Sequence, residues 1–467
     1  MLDVLWGVGG MAVILALAYL LSTNRKAIRI RTVVGALALQ IGFGVLVLFV
    51  PWGQKGLEFA SRAVQAVIDS SRSGIEFLFG SLVEGDAFVF ALQVLPVIVF
   101  FASLTAVLYH LGILQKVVAV LGGGLAALLG TRKAESVNAA ANVFVGQTEA
   151  PLVIRPYLKG LTRSGLFAVM VGGLATVAGS VLVGYSLLGA QLEYLIAASF
   201  MAAPGALLMA KIIVPETDEG EDELVEEDAM HGRAAARKEA EAKGVGRQPG
   251  SEAAAAPEGA EAAAAAGPAG AREVDGQKLN DQELDEQEDD ETSDAGYRNV
   301  IDAAAGGAAD GLRLAATIGA MLLAFISLIA LINLFLGRAG RLFGAEELTF
   351  ELILGFIFAP VMFAIGVPWA EALDAGSFVG QKVVVNEFVA FSNFAPIIED
   401  YSAKTQAVTT FALTGFANLG SLGILLGGLG SLVPHRRSEI ATLGIRAILA
   451  ATLANLMSAA IAGILIG

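Results

Sequence analysis

Cysteine is absent from all 467 residues. That excludes disulfides, a thiol nucleophile and thiolate metal sites. Histidine is nearly absent too. His110, His231 and His435 are far apart and show no metal-ligand spacing. No Walker loop is present, so ATP does not drive this chain. No Ser/His/Asp arrangement stands out, and an enzyme is not indicated. Basic residues sit at the edges of apolar runs, which argues against nucleic-acid binding.

Hydrophobic residues dominate instead, at 55% of the chain with mean hydropathy +0.68. This is the composition of an integral membrane protein. The net charge of −15 belongs to one segment. Residues 216–296 hold 25 acidic and 7 basic side chains, which leaves +3 for the remainder. The segment includes the Ala/Glu/Gly/Pro tract 251–270 and the acidic run 286–291. It reads as a disordered, solvated insertion that acts as a tether.

Apolar spans predict eight crossings near 2–22, 33–52, 87–109, 164–187, 189–213, 312–336, 405–430 and 440–466. The first lacks a basic leader and reads as a retained helix. Residues 114–129 read as a shorter interfacial helix, and the amphipathic stretch 299–314 as a second surface helix. Arg25, Lys26, Arg29 and Arg31 follow the first span, and His435, Arg436 and Arg437 precede the last. Basic loops on the cytoplasmic side place both termini outside and the insertion inside.

Between Lys133 and Arg155 the chain has room for one crossing, yet both ends are basic. A re-entrant hairpin reconciles these facts, with Gly146-Gln147-Thr148-Glu149-Ala150-Pro151 near its tip. The alternative is a single crossing with one basic cluster on the wrong side. A second hairpin is predicted around Asn386-Glu387-Phe388-Val389-Ala390, which resembles Asn142-Val143-Phe144-Val145-Gly146. Each motif precedes a glycine-broken polar helix, around Thr176 and around Asn418. Paired interrupted segments in corresponding halves point to a secondary transporter.

Glu149 and Glu387 are the carboxylates deepest in apolar sequence, and at membrane depth they need partners. A polyhydroxylated ligand would supply donors; the alternative is capping of a half-helix N-terminus. Gln147, both donor and acceptor, suits a nucleobase edge. Asn418 and Ser421, three apart, are expected on one helical face, where helix–helix contact is the plainer reading. Phe416 reads equally as packing. Oxygens of Asn142, Val145, Thr148, Thr176 and Val177 could surround sodium if the hairpin tip meets a break near Thr176.

With these residues in view, the chain resembles a concentrative nucleoside transporter of the bacterial type. The matching stretches are residues 142–152, 178–182, 299–304, 386–390 and 415–418. The resemblance implies an all-α membrane protein of eight transmembrane helices and two re-entrant hairpins in inverted repeats. It implies a homotrimer in the inner (plasma) membrane, an elevator-like motion, and nucleoside uptake driven by sodium or protons. On this resemblance Gly146, Gln147, Thr148, Glu149 and Val181 would meet the base. Glu387, Asn418 and Ser421 would meet the ribose, with Phe416 as an apolar wall. Thr176 stands where the family has serine, and the hydroxyl survives. The expected segments are scaffold helices 1–113, a first repeat 114–213, the insertion 214–297, a scaffold helix 298–340 and a second repeat 341–467. A symporter for another polar solute on the same scaffold, and a gated channel or receptor, are the alternatives.

Overall fold

Apolar runs broken by glycine, proline and capping residues produce a chain of helices. The computed structural model describes residues 2–83, 89–217, 297–342, 344–345 and 347–466. Among them there is no strand. The acidic insertion therefore lies outside the described residues, apart from its first two positions.

The first half opens with α1 (Leu2–Leu20), α2 (Ile30–Leu48) and α3 (Pro51–Phe79). Next come α4 (Leu95–His110) and α5 (Ile113–Leu129). A hairpin follows, α6 (Lys133–Ala141) with α7 (Ala150–Val153). A broken helix, α8 (Arg163–Ala175) and α9 (Gly179–Leu187), leads into α10 (Leu192–Ile213). The second half repeats this order. It comprises α11 (Val300–Leu342), α12 (Phe350–Ala364), the hairpin α13 (Trp369–Val384) and α14 (Glu387–Phe394), the broken pair α15 (Ala403–Leu413) and α16 (Leu419–Leu432), and α17 (Arg437–Ile466).

Six helical stretches among the described residues are long and apolar enough to cross a membrane unaided. The shorter α1 and the broken pair α15–α16 lie at the two remaining expected crossings. Three features differ from the sequence reading. The amphipathic stretch near 299–314 and the span 312–336 form one 43-residue helix, α11, since nothing between them breaks the pattern. Helix α3, 29 residues long, was not foreseen because its charges interrupt the apolar run. Helix α12 was also missed. It meets α13 at 119° across a break of a few residues, and each piece is too short to read as a full span.

Burial separates two sets of spans. In Arg163–Leu187 and Leu192–Ile213, 89% of the spanning window is buried, against 17% in Val300–Leu342. The core is therefore built from α8, α9, α10 and α17, with α4 and α11 at its edge. Those two edge helices pack on each other through Gly307 and Gly311. A Cβ at Gly307 would lie 2.5 Å from Ala106 Cβ, and one at Gly311 2.8 Å from Val99 Cα. Small residues permit this close approach, the usual means of helix association in lipid.

A buried charge cluster fixes the base of the first hairpin. Lys211 Nζ lies 2.6 Å from Glu135 Oε2 and donates to Ser164 Oγ at 3.0 Å. It also lies 3.5 Å from Glu216 Oε2, which accepts from Thr162 Oγ1 at 3.1 Å. Glu135 accepts in turn from the Arg132 backbone N–H at 2.8 Å. The cluster joins α6, α8 and the end of α10. Lys211→Met would leave a buried carboxylate unpaired. It is expected to cost about 3–5 kcal/mol, read as a lower melting temperature in detergent, with Lys211→Arg retaining more stability.

Candidate functional site

Four helices stop inside the core, and their ends converge. In the first hairpin α6 ends at Ala141 and α7 begins at Ala150. The tip between them contains Asn142, Val145, Gly146, Gln147, Thr148 and Glu149. It docks on the start of α9, where the Gly179 N–H donates to Phe144 O at 3.2 Å. Helix α8 ends at Thr176, which is extended (φ −104, ψ 174). Helix α13 stops before Asn386, and α15 stops before Thr414.

Polar side chains close these ends. The Thr176 hydroxyl donates to Gly172 O at 2.8 Å, and the Thr414 hydroxyl to Thr410 O at 2.7 Å. Asn386 Oδ1 accepts from the Val389 N–H at 2.9 Å and caps α14. Asn418 Oδ1 accepts from the Ser421 N–H at 2.8 Å and caps α16. Asn418 and Ser421 are therefore joined by a cap and not by a shared helical face, because Asn418 is extended (φ −138, ψ 167). The two breaks also touch directly, the Phe416 N–H donating to Thr176 O at 3.2 Å.

One amide that sequence reasoning missed organises both breaks. Asn455 of α17 donates from Nδ2 to Ala175 O at 2.7 Å and to Thr414 O at 2.9 Å. Its Oδ1 accepts from Lys382 Nζ at 2.7 Å, and Lys382 also donates to Ala412 O at 2.7 Å. Asn455 was detectable as the lone amide in a helix whose only other polar side chains beyond Arg446 are the hydroxyls of Thr452 and Ser458.

The first hairpin presents oxygens without donors. Asn138 Oδ1, Asn142 Oδ1 and Gln147 Oε1 are buried and unpartnered. They face α8 at a glycine pair. A Cβ at Gly172 would lie 3.5 Å from Asn142 Nδ2, and one at Gly173 would lie 2.9 Å from Gln147 Cβ and 3.7 Å from Asn142 Oδ1. Buried oxygens without donors are costly, and a hard cation or a donor-bearing ligand relieves them. Val177 is buried beside this region and Val145 half-buried. Thr148 lies against α16, its Cγ2 2.7 Å from where a Gly428 Cβ would stand. Gly146 is half-buried under the Glu149 carboxylate. Glu149 itself is exposed just before α7.

Glu387 is buried in the first turn of α14, where the helix dipole favours it. It does more than cap, since Oε2 accepts from Asn418 Nδ2 at 2.8 Å. The fully buried Tyr185 of α9 turns its hydroxyl toward the same carboxylate without closing a hydrogen bond of ordinary geometry. Its ring stacks on Phe391 at 4.4 Å and meets Phe388 edge-on at 4.8 Å. Val181, buried on α9, and Phe416, half-buried at the second break, add apolar surface. The structure thus joins Glu387, Asn418 and Ser421 in one cluster, and Asn142 and Gln147 in another. Thr176 and Phe416 connect the breaks. Glu149 is not joined to either cluster by a hydrogen bond.

Buried ionisable and amide groups at broken helices define a secondary transporter with two re-entrant hairpins. The family described as Na+ dependent nucleoside transporter matches through its C-terminal part at residues 194–463 and its N-terminal part at residues 9–82. A second family, described as nucleoside recognition, matches residues 91–192. The nucleoside permease NupC of Helicobacter pylori is 42% identical over 99% of this chain and 98% of its own. The uncharacterized transporter YutK of Bacillus subtilis is 48% identical over all of both chains. The solved structure of CNTnw in an inward-facing substrate-bound state has TM-score 0.82 and 47% identity, covering 99% of this chain and 98% of that one. This chain belongs to the Na+ dependent nucleoside transporter family. It is a multi-pass membrane protein, a cation-coupled nucleoside symporter with an elevator-like movement, and not an enzyme.

A Cβ on Gly415 would lie 2.4 Å from Asn455 Oδ1 and 2.8 Å from Ala175 O. Gly415→Ala is expected to push the two breaks apart. It should lower nucleoside uptake at least about tenfold, equivalent to about 1.4 kcal/mol, while expression and membrane insertion persist.

Proposed function

We propose that sodium is the coupling ion and that it enters between the first hairpin tip and the break of α8. Asn142, Val145, Thr148, Thr176 and Val177 surround it. The nucleoside lies alongside, its base on Gly146, Gln147, Thr148, Glu149 and Val181. Its ribose meets Glu387, Asn418 and Ser421, with Phe416 as a wall. The observation that carries this reading is the adjacency of two unlike sites. Unpartnered buried oxygens face one break, and the Glu387–Asn418 pair stands at the other. The Phe416–Thr176 hydrogen bond connects them.

The chemistry matches the roles. A carboxylate held by one amide keeps lone pairs for ribose hydroxyl donors. Sodium takes oxygens only, which is what the hairpin tip offers. The family description and the rat sodium/nucleoside cotransporter 2, 33% identical over 98% of this chain and 62% of its own, favour sodium over protons.

We further place both termini outside and residues 216–296 in the cytoplasm. The protein works as a homotrimer with α4 and α11 as its scaffold. The repeated element order supports reading 114–213 and 341–467 as the two repeats. The low burial of α4 and α11 supports their scaffold role.

Uptake of labelled uridine into proteoliposomes tests the coupling. Accumulation is expected with an inward sodium gradient and not when choline replaces sodium at fixed pH. Accumulation driven by a pH gradient alone would reject sodium in favour of protons. Glu387→Gln is expected to reduce uptake far more than Lys238→Gln, which lies in the insertion. The loss should reach at least about tenfold, as expected for charge-assisted hydrogen bonds worth about 1.5–3 kcal/mol. Equal effects of the two substitutions would reject the site assignment.

A further inference from the structure

The two halves share a framework. Each broken helix ends on a threonine whose hydroxyl bonds the carbonyl four residues back, Thr176 in the first and Thr414 in the second. Each hairpin helix carries a polar residue four positions before its motif asparagine: Asn138 before Asn142, and Lys382 before Asn386. Both residues are buried between the hairpin helix and the broken helix.

There the halves part. Around Asn138 three oxygens stay unpartnered, those of Asn138, Asn142 and Gln147. Around Lys382 none does among the groups it reaches. Its ammonium is held at 2.7 Å by Ala412 O, one of the last carbonyls of α15, and at 2.7 Å by Asn455 Oδ1. Asn455 spends its own N–H groups on Ala175 O and Thr414 O, so its oxygen is turned toward Lys382.

The electrostatics of the two places are alike. A helix C-terminus carries partial negative charge, and a converging amide oxygen deepens it. A low-dielectric interior penalises a bare charge, and oxygens so placed offset part of that penalty for a cation; at Lys382 the Glu387 carboxylate adds to them. The second half supplies that charge from its own side chain. The first half has oxygens and no ammonium at the matching position.

We propose that the Lys382 ammonium is the fixed cation of the second half, standing where the first half takes an ion from solution. Each protomer therefore has one exchangeable cation. This rests on the reading that the coupling ion sits beside Asn142. Lys382 is also a positioning residue, because through Asn455 it keeps both breaks in register whether or not the exchangeable ion is bound.

A reciprocal pair of substitutions tests it in purified, detergent-solubilised protein. Lys382→Asn gives the second half the residue of the first, and Asn138→Lys does the reverse. Sodium-22 binding at saturating uridine is expected to give one sodium per protomer in the wild type and two in Lys382→Asn. In Lys382→Asn the sodium dependence of uridine binding should turn from hyperbolic to sigmoid. Lys382→Arg should keep one sodium. Asn138→Lys should bind uridine equally in sodium and in choline.

Two sodium ions per wild-type protomer would overturn the inference, and this count holds even if a variant fails to fold. So would a folded Lys382→Asn that still binds one sodium with a hyperbolic curve. A folded Asn138→Lys that needs sodium as the wild type does would also overturn it. A wild type that binds no sodium would instead reject the coupling-ion reading, and this inference with it.

Discussion

Hydrocarbon offers no water to a free peptide group, and this chain stops helices at four places within its apolar core. Each stop exposes N–H or C=O groups that cost several kcal/mol if left bare. Asn386 and Asn418 cap the helices that restart. Thr176 and Thr414 return a hydroxyl to the preceding turn. Asn455 takes the carbonyls Ala175 O and Thr414 O together, so the two broken helices are tied at one amide. What these groups leave unsatisfied is confined to a few atoms, and those atoms are where ligands are needed.

Satisfaction is uneven between the halves, and the unevenness has a mechanical meaning. In the second half Lys382, Asn455, Asn418 and Glu387 form closed contacts around the breaks. Such paired contacts favour one geometry at the breaks, while Glu387 keeps lone pairs free. In the first half the hairpin keeps three oxygens without donors, on Asn138, Asn142 and Gln147, and its Glu149 is exposed. An ion that binds those oxygens stabilises the tip in one arrangement. A nucleoside bound on Gln147 and Thr148 would then meet a surface already ordered. On the proposed assignment ion and substrate share one hairpin, and linkage would make their help mutual.

Much of this was legible in the sequence, for physical reasons. Long apolar runs must span, and basic flanks must stay out of lipid, so the crossings and the first hairpin followed from Lys133 and Arg155. Carboxylates in apolar sequence need partners, which drew attention to Glu149 and Glu387; Glu387 is buried beside Asn418, whereas Glu149 is exposed. Helices α3 and α12 escaped because one is amphipathic and the other short and sharply bent against its neighbour. Asn455 escaped for another reason. Its partners lie 280, 41 and 73 residues away, and nothing local reveals them. Asn138, Lys382 and Tyr185 were missed likewise, since each acts through a neighbour in space. Asn418 was singled out for a reason the structure replaces. Its spacing from Ser421 reflects a cap at a break, which only the backbone shows.

The central claim is that a cation at the first hairpin and a nucleoside at the Glu387–Asn418 pair are energetically coupled through touching breaks. Titration calorimetry of the purified protein with uridine, in sodium and in choline at one pH and ionic strength, tests it most directly. The account predicts a uridine Kd at least about tenfold lower in sodium, a coupling of about 1.4 kcal/mol. Equal Kd values in the two salts would contradict it.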